Sequence, residues 1–271
     1  MGTSTLEELL EVTGETPEKL AGEAAGYLIK LGDSVLEDEK EKREELRKML
    51  SDMSDQELRE TFVPDVYQKS IYRISYTKLN AKGIKLISFD IDDTFGDVGV
   101  HNFNKLIPGK KIMTHEERKK ARALVEKLHN MGFTVVLLTN AGETIAKGVY
   151  KEIGADDYVF KANKPDTESF NRIMVKYGIN NSQMAHVGNN IRQDVAGGNA
   201  AGVTTCLVRN RGFIMKVGKI SKRAVGLRTR GHLVREELSK RRIWRKYDMC
   251  YKDDQYYQLG EAQKFSPSFK G

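Results

Sequence analysis

Long apolar runs are missing from this sequence of 271 residues. The stretch Val135–Leu138 is typical of the longest ones, and it falls far short of the roughly 18 to 20 residues that a membrane-spanning helix needs. We therefore expect no transmembrane segment. The start of the chain has Glu7, Glu8 and Glu11 among leucines and lacks the basic start and apolar run of a secretory signal, so we expect a cytoplasmic protein.

Cysteine is scarce. Cys206 and Cys250 are the only two, they lie well apart, and neither has a partner motif. This pattern excludes a disulfide framework and a cysteine-rich zinc site. We expect one buried and one incidental thiol.

Acidic residues are few in the last quarter of the chain. The net charge of +7 divides into −7 over residues 1–80, +3 over 81–208 and +11 over 209–271. The acidic and basic ends could attract each other within the fold or across a dimer. Alternatively the basic tail, which carries Trp244 and several tyrosines, could bind nucleic acid or anionic lipid head groups.

The N-terminal segment, 1–80, has the pattern of a helical region. Apolar residues recur at three- and four-residue spacing from Leu6 to about Phe62, which predicts three or four short helices. The pattern changes near Pro64, and a domain boundary is predicted near residue 80. This segment could act as a lid or as an interaction domain.

Between residues 81 and 210, short apolar runs alternate with amphipathic stretches. We predict five strands, at about 84–89, 133–138, 158–160, 184–187 and 203–208. We predict four helices, at about 115–131, 143–153, 166–177 and 191–201. This alternation indicates an α/β fold with a doubly wound, Rossmann-like parallel sheet. Residues 211–271 form a basic C-terminal extension with a helix predicted at about 232–244.

Polar residues follow the predicted strands, where active sites of such sheets gather. Asp90 and Asp92 are separated by one residue, so the first could attack phosphorus while the second exchanges protons with the leaving group and with water. A lysine and a divalent cation would offset the charge of a phosphoryl group. Lys164 is the candidate lysine, with Lys161 as the weaker alternative, and Thr139 offers a hydroxyl.

Four motifs in this order resemble those of the haloacid dehalogenase superfamily of phosphohydrolases. They are FDIDDT, VVLLTN, NKPD and, in altered form, GNNIRQD, and the resemblance covers about residues 83–210. It implies that Asp90 is the nucleophile that forms an aspartyl-phosphate and that Asp92 is the general acid and base. It also implies that Thr139 and Asn140 bind the phosphoryl group and that Lys164 stabilises charge.

The same resemblance implies a Mg²⁺ site. The Asp90 carboxylate, the Asp92 backbone carbonyl and the fourth motif, with Asn189 and Asp194, would hold the ion. Asn189 departs from the family pattern, which usually has an aspartate there, so Mg²⁺ should bind more weakly. Asp194 is expected to order metal-bound water or Lys164.

His115 and His186 are predicted to be structural, because no second ligand stands at metal-binding spacing from either residue.

The spacing of the motifs leaves no room for the cap domains that many members of this superfamily carry. The layout resembles the capless subclass III, which includes YqeG-like and phosphatidylglycerophosphate phosphatases. Capless members tend to accept large phosphates because their site is open, so the substrate could be a small molecule or a macromolecule.

Three functions follow from these observations. The leading one is a Mg²⁺-dependent phosphatase, a phosphomonoester hydrolase, that acts through an aspartyl-phosphate. The alternative is a degenerate member that binds a phosphorylated partner or nucleic acid without turnover, which rests on Asn189 and the basic tail. The third is a phosphatase acting on nucleic-acid ends or lipid head groups, steered by the tail.

Overall fold

The chain forms two compact units, Met1–Asp52 and Met53–Gly271. The computed structural model describes residues 40–92, 94–95, 113–209 and 230–244, and the backbone of 257–258. In the first unit, residues 40–52 form helix α1. The other helices predicted in the N-terminal segment before residue 40 lie outside the described residues.

The second unit is built on one sheet whose strand order is β4-β3-β2-β5-β6-β1-β7. Strands β1 to β6 are parallel, and β7 is antiparallel to β1 at the edge. The strands are β1 (Val66–Gln68), β2 (Leu86–Phe89), β3 (Thr134–Leu138), β4 (Asp157–Val159), β5 (Met184–Gly188), β6 (Thr204–Val208) and β7 (Tyr257–Gln258).

Helices of this unit connect the strands or flank them. They are α2 (Asp55–Phe62), α3 (Tyr76–Ala81), α4 (His115–Asn130), α5 (Glu143–Ile153), α6 (Glu168–Tyr177), α7 (Ala196–Ala200) and α8 (Arg230–Lys240). Short 3₁₀ turns occupy Ile71–Arg73 and Asn181–Gln183. Of the helices in the described part of the chain, none is long and apolar enough to span a bilayer.

The ends of two long helices follow local sequence signals. The Thr114 hydroxyl accepts the Glu117 backbone N–H, and the Glu117 carboxylate accepts the Thr114 N–H, so a capping box starts α4. Gly154 ends α5 in the left-handed conformation, at φ 76°, which a glycine adopts without steric cost.

Both faces of the sheet are buried, and successive residues of one strand enter different apolar clusters. Ile87 and Phe89 pack into the larger cluster together with Leu137, whereas Leu86 packs with Val136 on the opposite face. This alternation is the period of a strand, and burial on both sides is typical of a parallel sheet covered by helices. The predicted doubly wound α/β architecture is confirmed.

The order of strands places a crevice between β2 and β5. From β2 the chain runs outward to β3 and β4, and β5 then returns to the other side of β2. The carboxyl ends of β2 and β5 lie side by side, since Phe89 pairs with Val187. Ligands of open α/β sheets bind at such a switch point. Asp90 and Asn189 follow these two strand ends.

The domain boundary predicted near residue 80 needs correction. Strand β1 belongs to the sheet and pairs with β6, with Val66 opposite Cys206. The Asp65 carboxylate accepts the Thr205 backbone N–H at 2.8 Å, which fixes the same junction. The boundary lies after Asp52, because residues 53–80 are part of the sheet-containing unit.

Candidate active site

Asp90 lies at the first position after β2, buried but for 7% of its surface. Its backbone N–H donates to the Val187 carbonyl at 2.8 Å, which extends the β2–β5 pairing by one residue. The Thr94 hydroxyl donates weakly to Asp90 Oδ2, at 3.4 Å, and lies 3.5 Å from the Asp92 carbonyl. The turn after β2 therefore aims the Asp90 carboxylate into the crevice.

The loop after β4 carries Lys164 into the same crevice. Lys164 is buried and its Nζ contacts Asp90, whereas Lys161, the weaker candidate, is exposed. Lys161 and Asn163 both adopt left-handed backbone conformations, at φ 47° and 56°. Such conformations are uncommon for residues other than glycine, and they bend the loop so that Lys164 points inward.

Asn140 holds that loop in place. Its side-chain oxygen accepts the Lys164 backbone N–H at 2.7 Å, and its amide group donates to the Lys164 carbonyl at 3.0 Å. Both ends of the Asn140 amide therefore act on the backbone of Lys164. These contacts give Asn140 a positioning role in addition to the phosphate contact that the resemblance implies.

Lys164 forms a buried ion triplet. Its Nζ donates to Asp90 Oδ1 at 2.8 Å and to Asp194 Oδ1 at 2.6 Å. Burial opposes the charge on Lys164, but the two carboxylates outweigh it and raise the pKa of the amine, so the lysine is a cation. Burial is the largest effect on Asp90 as well and raises the pKa of its carboxyl, although Lys164 works against this.

Asp194 occupies the π-helical turn Ile191–Val195 that follows β5. Its Oδ1 accepts from Lys164, and its Oδ2 accepts the Asn190 backbone N–H at 2.8 Å. Burial works to raise the pKa of Asp194, but Lys164 and the contact with His186 outweigh it and hold this pKa below its usual range. Both of its oxygens therefore accept from protein donors, and Oδ1 is the atom that binds Lys164.

Asn189 reaches across the crevice to the turn after β2. Its amide donates to the Asp92 backbone carbonyl at 2.5 Å, the oxygen that the resemblance assigns to Mg²⁺. Half a turn about the Cβ–Cγ bond exchanges the amide nitrogen and oxygen. The Asp90 carboxylate, the Asp92 carbonyl and the Asn189 amide oxygen are hard oxygen donors of the kind that Mg²⁺ takes, so the residues fit this ion. Among the residues that the structure describes, no group of three His, Cys, Asp or Glu side chains gathers at metal-binding distance.

Thr139 is the first residue after β3, the strand next to β2 in the sheet. It is fully buried, and its hydroxyl accepts the Ala141 backbone N–H at 3.0 Å. The hydroxyl keeps its own proton for donation. This placement suits the predicted contact with a phosphoryl oxygen.

Several residues of this site were not identified as functional from the sequence. Thr94 belongs to the first motif but was given no role, and Ser88 and His186 lie inside buried strands. The signal for the last two is their placement: each is a polar residue in an apolar strand, and the two strands pair with Ser88 opposite His186. That register is a property of the sheet, so it is available only once the strand order is known.

Trp244 of the basic tail does not form the exposed stacking surface that binding of nucleic acid would need. Trp244, considered as a stacking platform for bases, is buried and packs edge-on against Tyr67 with ring centroids 5.6 Å apart. A side chain held in this way cannot stack on a base. Tyr247, Tyr251 and Tyr256 lie outside the described residues.

The connection from β3 to β4 holds only helix α5 within the described residues, as predicted for a site without a cap at this position. A cap domain can also be inserted after the first motif. That segment includes residues 96–112, which lie outside the described part of the chain.

Comparison with known proteins points to one family. A family model for haloacid dehalogenase-like hydrolases matches residues 65–202. The chain is similar to the probable phosphatase YqeG of Bacillus subtilis (strain 168), with 27% identity over 186 residues, 66% of this chain and 99% of that protein.

Solved structures give weaker likenesses. An uncharacterized protein from Listeria monocytogenes serotype 4b is 21% identical, with 45% of this chain and 76% of that chain covered and a TM-score of 0.35. The cobalt-bound deoxy-D-mannose-octulosonate 8-phosphate phosphatase from Haemophilus influenzae is 16% identical, with 55% and 92% covered and a TM-score of 0.34.

Proposed function

The chain belongs to the haloacid dehalogenase-like hydrolases, and from this premise we propose that it is a Mg²⁺-dependent phosphatase that hydrolyses phosphomonoesters through an aspartyl-phosphate at Asp90. The observation that supports this proposal most is the buried triplet of Asp90, Lys164 and Asp194 at the switch point of the sheet. A nucleophile held against a charged amine at that place is suited to attack on an anionic group.

In the first step the Asp90 carboxylate attacks phosphorus. A bond forms between an Asp90 oxygen and phosphorus, and the ester bond to the leaving oxygen breaks. Asp92, two residues along the same turn, gives its proton to that oxygen, so the leaving group departs as a neutral alcohol.

In the second step Asp92 acts in reverse. Its carboxylate takes a proton from a water molecule, whose oxygen attacks the phosphorus of the aspartyl-phosphate. The bond between Asp90 and phosphorus breaks, inorganic phosphate leaves, and both aspartates return to their starting forms.

Two further side chains stabilise the phosphoryl group during both steps. Lys164 places positive charge beside the attacked phosphorus, and the Thr139 hydroxyl donates to a phosphoryl oxygen. Lys164 stays oriented because Asp194 holds its Nζ and Asn140 holds its backbone.

Mg²⁺, when bound, offsets the negative charge of the phosphoryl group against the carboxylates. Asp90, the carbonyl of Asp92 and Asn189 would hold it. Proximity to a cation also favours the ionised form of Asp90, which burial alone disfavours.

The test is phosphate release from para-nitrophenyl phosphate with Mg²⁺ and with a chelator, by the natural chain and by Asp90→Asn. We expect turnover that the chelator and the variant both abolish. Asp166→Asn is the matched control, because Asp166 is exposed and lies two residues after Lys164. Turnover that survives in Asp90→Asn would contradict the mechanism. No turnover by the natural chain, together with no Mg²⁺ binding, would favour binding without catalysis.

A further inference from the structure

A continuous chain of contacts runs from the nucleophile into the core of the sheet. Lys164 Nζ contacts Asp90 Oδ1 and Asp194 Oδ1, and Asp194 Oδ1 lies 3.2 Å from His186 Nε2. On the other side of the ring, His186 Nδ1 lies 2.8 Å from the Ser88 hydroxyl. All five side chains are buried.

The chemistry of the partners fixes the protons along this chain. The Asp194 carboxylate accepts from the Lys164 ammonium, so the atom facing it on the imidazole must be a donor. His186 Nε2 therefore carries a proton. Ser88 has one hydroxyl proton, and its contact with Nδ1 is shorter than its 3.4 Å contact with the Ala185 carbonyl. The shorter contact favours donation from Ser88 to Nδ1, and hence a neutral imidazole protonated at Nε2.

Both oxygens of the Asp194 carboxylate are held by hydrogen bonds. Oδ2 accepts the Asn190 backbone N–H within the π-helical turn, and Oδ1 is shared between Lys164 and His186. Of the two partners of Oδ1, His186 comes from a central strand of the sheet, whereas Lys164 comes from a loop. The histidine is thus the rigid anchor of this oxygen, and the lysine is the group that the oxygen positions.

We propose that His186 is a positioning residue of the reaction: by donating from Nε2 to Asp194 Oδ1 it fixes the carboxylate that aims Lys164 at Asp90. This inference rests on the proposed function for its kinetic consequences. The tautomer and the hydrogen bond do not depend on it.

A purely structural histidine would give a different result on substitution. His186 also packs edge-on against Phe170, with ring centroids 5.1 Å apart, so it fills space in the core. If filling space were its whole role, His186→Leu and Phe170→Leu would have comparable effects, on stability alone. If the donor matters, a side chain with a donor and an acceptor should restore function.

The experiment compares His186→Leu, His186→Gln and the control Phe170→Leu with para-nitrophenyl phosphate and Mg²⁺. We expect His186→Leu to lower kcat about 10- to 100-fold, the factor that corresponds to loss of a hydrogen bond to a charged group. KM should change little, because His186 does not reach the substrate. His186→Gln should recover most of kcat, and Phe170→Leu should lower the melting temperature with a small effect on kcat.

Equal loss of kcat in His186→Leu and Phe170→Leu, or no recovery in His186→Gln, would overturn the proposal. A second measurement is independent of activity: ¹H–¹⁵N correlation of the imidazoles in the natural chain, with the His186 signal assigned by its loss in His186→Leu. We expect the pattern of a neutral ring protonated at Nε2. The Nδ1 tautomer would overturn the inference even in an active enzyme, whereas the Nε2 tautomer in an inactive chain would contradict only the proposed function.

Discussion

In the proposed Mg²⁺ site, the side chain at position 189 sets how much negative charge would face the cation. Asn189 contributes an amide where family members usually have a carboxylate, and this amide donates to the Asp92 carbonyl. An amide oxygen can coordinate Mg²⁺ but carries no net charge, so the affinity of the proposed site for Mg²⁺ would rest mainly on Asp90. The amide nitrogen also gives the Asp92 carbonyl a donor of its own.

Asn189→Asp tests this account of residue 189. The added charge should raise the apparent affinity for Mg²⁺ roughly tenfold, since ligand charge tunes the affinity of such oxygen sites. Without Mg²⁺ the new carboxylate faces the Asp92 carbonyl with no donor between them, so the variant should melt at a lower temperature than the natural chain. Thermal melts across a Mg²⁺ titration measure both effects, because bound ligand stabilises the folded state. A shift with Mg²⁺ no larger than that of the natural chain would count against this reading.

The positions of the candidate residues at the strand ends were predictable, because they follow from the order of the motifs along the chain. Asp90, Thr139 and Lys164 lie at the carboxyl edge of the sheet as expected. The contacts of Asn140 and Asp194 were less accessible, because each depends on how a loop bends. The motif order already favoured Lys164 over Lys161, but the left-handed backbone at residues 161 and 163 was not predictable from any local pattern.

At the scale of elements, the π-helical turn after β5 and the strand itself are packed too closely for a side chain at Gly188. A Cβ at that position would overlap the carboxylate group of Asp194. This carboxylate cannot yield without releasing Lys164. The sequence predicted one helix over 191–201, whereas the structure has a π-helical turn over Ile191–Val195 followed by α7.

Gly188→Ala should therefore displace Asp194 and lower kcat by about a hundredfold, the cost typical of a catalytic group moved by an ångström. Gly142→Ala is a matched control, since a Cβ at Gly142 meets nothing within 4 Å. Steady-state kinetics with para-nitrophenyl phosphate measure the difference. Similar kcat values for the two variants would show that this packing does not matter.

Strand β1 has three residues and no periodic pattern, which is why the sequence did not reveal it. It is fixed to β6 partly through Asp65, whose carboxylate accepts the Thr205 backbone N–H and whose own backbone N–H donates to the Thr205 hydroxyl. Burial is the largest effect on this carboxyl and raises its pKa above 3.8, although the bonds from Thr205 work the other way. A contact that sets the register of two strands distant in sequence cannot be predicted from local sequence patterns.

The substitution Asp65→Asn tests this junction through the pH dependence of the free energy of unfolding. The pKa of Asp65 is higher in the folded state than in the unfolded state. The free energy of unfolding therefore falls as the pH rises from the pKa of the unfolded state to the pKa of the folded state. The variant carries no titrating group there, so its stability relative to the natural chain should increase with pH over the mildly acidic range and then level off. Urea unfolding of both chains at several pH values measures the difference. A difference that does not vary with pH would refute this assignment.

For the whole molecule, the catalytic machinery lies in one unit. All residues of the proposed site, and the sheet that carries them, belong to Met53–Gly271. The sequence correctly indicated one doubly wound core, because alternating strands and helices leave few other topologies. It placed the start of that core too late, since residues 53–80 look helical by their spacing.

A chain of residues 53–271 should fold cooperatively and hydrolyse para-nitrophenyl phosphate with the kcat/KM of the full chain. The reason is that the sheet and all residues of the proposed site lie within it. Thermal melting and steady-state kinetics of both chains provide the comparison. A folded but inactive shorter chain would contradict this prediction and show that activity needs residues 1–52, part of the segment 1–80 for which the sequence suggested a lid or an interaction domain.

The central claim is that Asp90 carries the phosphoryl group, and it is tested most directly by trapping that intermediate. In Asp92→Asn the nucleophile remains but the base that activates water is lost, and para-nitrophenolate leaves without needing a proton. After incubation of this variant with para-nitrophenyl phosphate and Mg²⁺ and an acid quench, mass spectrometry should find one added phosphoryl group on the peptide that contains Asp90. The added phosphoryl group should be absent from the double variant that carries both Asp92→Asn and Asp90→Asn. A phosphoryl group on another residue, or none while the natural chain turns over, would contradict the mechanism.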